Sequence, residues 1–375
     1  MAVRTKTFFI IGRSRPSRLL HQHTPALLSH TPSGFPGAAE LHYPSPWRQL
    51  SPHPYIPATR HRLSTMTSPS AKIQSPSESK SERSSEPTIH SIFESTTGTW
   101  QYVVADPATS TAAIIDAVLD YDPATQKIGT TSADALLSLV RKENYTVAMI
   151  LETHAHADHL TAASYLQSRL TEEQGSRPPI AIGQRIDQVQ RVFGQRYGLA
   201  ADKYRGVFDR FFKDNESFNI GSLTATALHL PGHTPDHMGY KIGDHVFCGD
   251  SIFHADLGTA RCDFPGGSAE DLFQSGRRLL SLPDHVNLWV GHDYPPTGER
   301  EEAVPCMTVG EHKRQNKHLK LGVTEAEFVA LRNDRDARLA APRLLHPSLQ
   351  INIAAGRLPQ PAVIRLPLKL DGVRW

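Results

Sequence analysis

From about Ile89 onward, short β-prone apolar runs alternate with turn-rich gaps and a few amphipathic stretches. Tyr102 to Ala105 and Ala112 to Ile115 flank the turn-forming residues 106–110, which predicts a hairpin. A helix is predicted from Ser132 or Asp134 to Lys142, with Leu136, Leu137, Leu139 and Val140 on its buried side. Thr146 to Leu151 reads as a buried strand, and further strands are expected at Leu223 to Leu230, Val246 to Cys248 and Asn287 to Val290. Ser268 to Asp271 and Thr324 to Glu327 carry capping-box patterns ahead of apolar residues, predicting two covering helices. The run Arg332 to Arg338 has charges of both signs and reads as a solvated helix face.

The first 77 residues differ. They show no sustained apolar period, hold 11 of the 28 prolines, and carry nine Lys or Arg against a single acid, Glu40. The 31 basic and 37 acidic residues that remain give the body a net charge of −6. An Arg-rich, acid-poor leader has the composition of an organellar transit peptide, so a mitochondrial matrix location is expected. Met66 offers a second start that would leave a shorter cytoplasmic form. The expected organisation is a leader over 1–65, a Ser/Pro-rich linker over 66–87, a catalytic domain over 88–310 and an extension over 311–375 packed on it.

With 375 residues, 39% of them hydrophobic and 21% charged, the chain can bury a large core. Its aliphatic runs fall far short of the roughly 20 residues a bilayer crossing needs. A whole-chain charge of +2 argues against nucleic acid or a membrane surface as the main partner. Three cysteines without a CxxC pair argue against a disulfide framework or a Cys-based zinc site, and fit a reducing compartment.

The most informative residues follow the strand that ends at Leu151: Thr153, His154, His156, Asp158 and His159, the pattern THxHxDH. In extended backbone, residues i and i+2 project to one side, so His154 and His156 can share one metal while Asp158 and His159 face a second. Imidazole and carboxylate ligands suit zinc, iron or manganese. Downstream, His233, Asp250 and His292 each follow a Gly at the end of a predicted strand, where close backbone approach is permitted. Cys248 and Cys262 have no base beside them in sequence and read as packing residues. His237 and His254 read as loop or core residues.

This set resembles the metallo-β-lactamase superfamily over about residues 88–300, whose series HxHxDH, His, Asp, His is matched by His154, His156, Asp158, His159, His233, Asp250 and His292. The resemblance implies a four-layer αββα sandwich with metals at one edge. The stretches YVVADPATSTAAIIDAVLDYDP (102–123), GTARCDF (258–264) and GHDY (291–294) resemble more narrowly the persulfide dioxygenase (sulfur dioxygenase) group, related to the ethylmalonic encephalopathy protein. The tail containing RNDRDARLAAPRLLHPSLQINIAAGRLP (332–359) resembles a longer form common in bacterial β-lactamase-like sulfur proteins. Two departures are Cys262, where mitochondrial members carry Thr, and the lack of a rhodanese-like segment in this sequence.

For this chain the resemblance implies one catalytic Fe(II) held by His154, His233 and Asp250, leaving positions open for a persulfide sulfur and O2. The expected substrate is glutathione persulfide, with sulfite and glutathione as products, and a homodimer is left open. Arg261 would grip a glutathione carboxylate, or else pair with Asp263. Tyr294 would donate a hydrogen bond near the metal, or serve as a core aromatic. His156, Asp158, His159 and His292 would orient the ligands or hold a second metal. The competing expectation is a glyoxalase II-like hydroxyacylglutathione hydrolase that uses all seven ligands around two zinc ions to activate a hydroxide.

Overall fold

The computed structural model describes residues 6–9, 86–298 and 300–368. A seven-stranded sheet runs in the order Lys6–Phe9, Thr88–Glu94, Thr99–Ala105, Thr111–Ile115, Thr146–Leu151, Ile180–Gly183, Arg210–Phe212. A six-stranded sheet follows chain order, from Glu216–Ile220 through Leu223–His229, Met238–Ile242, His245–Gly249 and Asn287–Val290 to Cys306–Thr308. A third, small sheet joins Lys127–Gly129, Val118–Asp122 and Leu160–Thr161. The helices are α1 (Thr131–Lys142), α2 (Ala163–Gln174), α3 (Ile186–Arg196), α4 (Ala269–Leu280), α5 (Val309–Gln315), α6 (Glu325–Asp336) and α7 (Leu345–Asn352).

Period-two alternation in the first sheet explains the layering. Tyr102, Val104, Ile115 and Leu151 join Ala225, Tyr240, Phe247 and Trp289 of the second sheet in one core. Their neighbours Val103, Ile114 and Ile150 join Leu136 of α1, Leu166 of α2, Phe193 of α3 and Leu349 of α7 in another. Both faces of these strands are buried, so they read in sequence as continuous apolar runs rather than alternating ones. Leu272 and Leu279 of α4 and Phe328 of α6 cover the second sheet from outside. The result is the expected αββα sandwich.

The predicted hairpin forms with Ala105 opposite Ala112. Asp106 closes its turn, accepting from Ala108 N, Thr109 Oγ1 and both Ser222 N and Oγ. Ser268 caps α4 by accepting from Asp271 N, and Thr324 with Glu327 closes a full capping box on α6. A second full box, Thr308 with Glu311 on α5, was not anticipated from the sequence.

Within the expected leader, Lys6–Phe9 lies parallel to Thr88–Glu94 at the sheet edge; the rest of the leader, and the linker up to residue 85, fall outside the described residues. One expectation needs correction. The charged run of α6 is not wholly solvated: Arg332 is 1% and Asp336 5% exposed. These two lie four and eight residues after Phe328, on its own buried stripe, so helical periodicity carries the ion pair inward with the aromatic ring. Among the described residues no helix is long and apolar enough to cross a membrane.

Candidate metal centre

The buried strand Thr146–Leu151 ends at the sheet edge, and residues 152–159 leave it as an irregular turn. His233 follows Gly232 after the strand Leu223–His229, Asp250 follows the strand His245–Gly249, and His292 follows Asn287–Val290 with Gly291 between. The glycines there are needed for approach. A Cβ on Gly291 would sit 2.4 Å from Asp250 Oδ1, and one on Gly249, whose φ is +47°, would sit 2.7 Å from Thr153 Oγ1.

The structure sorts the seven sequence-selected residues into two groups. His154, His233 and Asp250 bring one ligand atom each within 4.8 Å of one another, as do His156, Asp158, His159 and His292. In the first group, His233 Nε2 lies 3.6 Å and His154 Nε2 4.0 Å from Asp250 Oδ2. In the second, His292 Nε2 lies 3.1 Å from Asp158 Oδ2 and 3.6 Å from Asp250 Oδ1, so the groups adjoin.

His154 and His156 do not share one group, contrary to the i, i+2 argument. That argument requires extended backbone, and the chain turns after Leu151. The two rings are neighbours, with centroids 4.1 Å apart, but His156 Nε2 points to Asp116 Oδ1 at 3.2 Å and Glu152 Oε2 at 3.3 Å.

Hydrogen bonds fix the first group's imidazoles. Thr153 Oγ1 donates to Asp116 Oδ2 at 2.8 Å, so its 3.0 Å contact with His154 Nδ1 has the imidazole N–H donating. His233 Nδ1 likewise donates to the Arg261 carbonyl at 2.8 Å. Each ring therefore presents Nε2 to Asp250 as a lone pair. Asp250 N–H donates to His237 Nε2 at 2.9 Å, and the His237 ring stacks on His154 at 4.9 Å. His237, expected to be a bland loop or core residue, thus holds the backbone of one group member and packs on another.

Electrostatics separates the groups as well. Burial, reinforced by the neighbouring imidazoles, pushes His154 well below the ordinary imidazole pKa. Burial alone would lower His156 too, but Asp116 and Glu152 push it well above the ordinary value. His292 is raised against burial by Asp158 and Asp250. Asp158, opposed by burial, is held far below the usual carboxylate range by His292 and His159.

The residues present fit a bound cation. His154 Nε2, Asp250 Oδ1, His156 Nδ1, both His159 nitrogens and His292 Nε2 are buried without a hydrogen-bond partner. Buried polar atoms are seldom left so, and imidazole and carboxylate atoms converging without partners are what metal coordination satisfies.

The Arg261 guanidinium is engaged by Asp263, with Nε and Nη2 each donating to one carboxylate oxygen at 2.5 and 2.6 Å, and by the Ala340 carbonyl. A substrate carboxylate could claim it only by displacing Asp263, and its carbonyl, not its side chain, meets the centre. Tyr294 is 47% exposed, stacks on His292 at 5.8 Å and donates from its hydroxyl to Thr97 O at 3.2 Å. His254 pairs with Asp256 at 2.7 Å. Cys248 donates to Trp289 O and burial pushes its thiol up to about 12, while Cys262 is also buried and raised, so both act as packing residues. A 370 Å³ cavity abuts His159, with Glu94, Asp120, Lys127 and Arg343 among its walls. Asp116, Glu152 and Asp236, which accepts from Ala155 N at 2.9 Å between His154 and His156, were missed from sequence. Asp116 carried a usable signal, since it directly follows the strand Thr111–Ile115 as Asp250 follows His245–Gly249.

The comparisons agree with this architecture. The metallo-β-lactamase superfamily model matches residues 96–292, and the chain belongs to that superfamily. It is 43% identical over 296 residues to a β-lactamase hydrolase-like protein of Xylella fastidiosa, covering 77% of this chain and 67% of that protein. It is 42% identical over 271 residues to glyoxylase B2 of Dictyostelium discoideum, covering 71% and 89% of the two chains. More distantly, it is 27% identical over 240 residues to the mitochondrial persulfide dioxygenase ETHE1 of Bos taurus, covering 63% and 78%. The crystal structure of ETHE1 from Myxococcus xanthus superposes with a TM-score of 0.56 at 27% identity, covering 72% of this chain and 99% of that one.

Proposed function

We propose that the protein is a persulfide dioxygenase that oxidises glutathione persulfide with O2 to sulfite and glutathione, in sulfide detoxification, at one Fe(II) held by His154, His233 and Asp250. The carrying observation is the division of the ligands: two imidazoles and one carboxylate converge as one set, adjoining the other through Asp250 and His292, while His156 is turned to Asp116 and Glu152. When bound, iron supplies the redox chemistry, and three protein ligands leave room for substrate and oxygen together. The overall change balances as persulfide, O2 and water giving glutathione and sulfurous acid: the outer sulfur loses four electrons, O2 gains them, and the sulfur–sulfur bond breaks.

The chain's own residues orient and shield. Thr153 and the Arg261 carbonyl hold His154 and His233 with Nε2 inward, and His237 holds Asp250. The cavity beside His159 has the size of a small-molecule site. On its wall Glu94 and Asp120 are taken up by Thr96, Thr97 and Ser132, while Lys127 and Arg343, the latter within the field of Asp122, bring positive charge that suits the carrier's carboxylates. The likeness to the two ETHE1 proteins supports this reading. The Arg-rich leader supports action in the mitochondrial matrix, which import of the full chain into isolated mitochondria would test.

A second reading, hydroxyacylglutathione hydrolysis at two metals, is favoured by the completeness of the His156, Asp158, His159, His292 group and by the likeness to glyoxylase B2. The deciding experiment measures metal content of anaerobically purified protein together with O2 uptake on adding glutathione persulfide. About one iron per chain with O2 uptake and sulfite formation supports the dioxygenase. Two zinc ions per chain, hydrolysis of a hydroxyacylglutathione and no O2 uptake would replace it with the hydrolase.

A further inference from the structure

Beyond residue 292, where the family-model match ends, buried polar side chains of the C-terminal extension reach back to the metal centre from two sides. Asn352, the last residue of α7 and 3% exposed, donates from Nδ2 to the carbonyls of both His156 and His159 at 2.8 Å. Its Oδ1 accepts from Thr161 N at 2.9 Å. One amide thus ties down the latter half of the HxHxDH turn and the first residues after it. That turn has no ladder of its own between the strands ending at Leu151 and starting at Leu160, so these carbonyls depend on a side chain for their bonds.

From the other side, Arg332 of α6 donates to the carbonyls of Thr259 and Ala260 at 3.0 and 2.8 Å and pairs with Asp336 at 2.7 Å. Asp336 Oδ2 accepts from Cys262 N at 2.7 Å. These bonds bracket Arg261, whose carbonyl takes the Nδ1–H of His233. The backbone oxygen that sets the His233 ring is therefore itself set by a fully buried ion pair in the extension.

We propose that the C-terminal extension is a positioning element of the metal centre: Asn352 fixes the turn that carries the HxHxDH residues, and the Arg332–Asp336 pair fixes the loop that orients His233. None of the three residues belongs to a ligand group; each acts on backbone that carries or aims an imidazole. Groups that orient metal ligands in this way affect metal affinity about 10–100-fold. The proposal is independent of whether the centre runs the dioxygenase or the hydrolase reaction.

The test uses the full chain with Co(II) as probe, reading its visible absorption spectrum and its affinity against a competing chelator. Asn352→Asp keeps the acceptor toward Thr161 and removes both donors; Asp336→Asn keeps the shape and removes the charge beside Arg332. Each is expected to weaken cobalt binding by about 10–100-fold and to change the spectrum. Leu345→Ala, at a buried packing position in α7, should lower the melting temperature and leave both cobalt readouts unchanged. If Asp336→Asn fails to fold, Arg332→Lys, which keeps the charge and loses the fork, takes its place; Asn352→Ser does so for Asn352→Asp. Folded variants that lose stability like Leu345→Ala, with cobalt affinity and spectrum unmoved, would overturn the proposal. An effect from one arm alone would overturn the other.

Discussion

The two ligand groups adjoin yet differ in what they do without a metal. In the His154, His233, Asp250 group, neutral partners hold the rings: a threonine hydroxyl and a backbone carbonyl. Nothing there neutralises Asp250 within the group except the imidazoles, and His154 is held in its neutral, ligand-ready form by burial and its neighbours. The other group is met by more opposite charge, although His156 Nδ1, both His159 nitrogens and His292 Nε2 still lack hydrogen-bond partners. His156 faces two carboxylates, and Asp158 pairs with both His159 and His292. Adjacent sites built from the same residue types can therefore differ in the charge that surrounds them, and part of the difference arises in the flanking residues Asp116 and Glu152 rather than in the ligands.

The largest effect expected is loss of the first group. Asp250→Asn or His154→Ala should lower iron affinity and O2 uptake by more than about 100-fold, beyond the effect of orienting groups alone, measured by metal analysis and an oxygen electrode. An active, metal-free variant would sink the ligand assignment. Next, Asp116→Ala should leave the His156 charge buried with half its compensation and destabilise the fold by about 3–5 kcal/mol, read from denaturant unfolding. In contrast, His292→Ala should keep the first group's iron and leave O2 uptake within about 10-fold, because that residue orients rather than binds in the dioxygenase reading; complete loss would favour the two-metal hydrolase.

Away from both groups, Asp106→Ala should destabilise by about 1–3 kcal/mol through the donors it leaves unsatisfied. Burial opposes ionisation of Asp106, but hydrogen bonds from Ser222, Thr109 and Ala108 hold its pKa at about 2. Its folded pKa is depressed, so its stabilisation is complete above the ordinary carboxylate value of about 4 and fades as pH falls toward 2. The acid-unfolding profile of Asp106→Asn should accordingly be flatter across that window. Smallest of all, breaking the surface pair Arg141–Glu173 with Arg141→Ala should cost below about 1 kcal/mol.

Much of the frame was legible because it rests on local rules. Apolar runs marked Thr146–Leu151 and Asn287–Val290 to the residue: their last residues are buried on both faces and they end where the chain turns, while Thr146 and Ala148 at the start of the first are exposed. Ser268 and Thr324 announced α4 and α6 through the chemistry of helix starts. All seven ligand candidates were visible because they follow the ends of predicted strands.

What only the tertiary structure decided was how those residues are divided and held. The i, i+2 spacing put His154 and His156 together, and the turn after Leu151 parts them, since side-chain direction there follows φ and ψ imposed by packing rather than a repeating period. Arg261 offered two partners in sequence, and folding placed Asp263 in its fork. Arg332, Asp336 and Asn352 carry no signal of their role, because their targets lie more than 70 and 190 residues away. The sequence determined which groups could bind a metal; long-range hydrogen bonds, which have no local signature, determined how they are aimed.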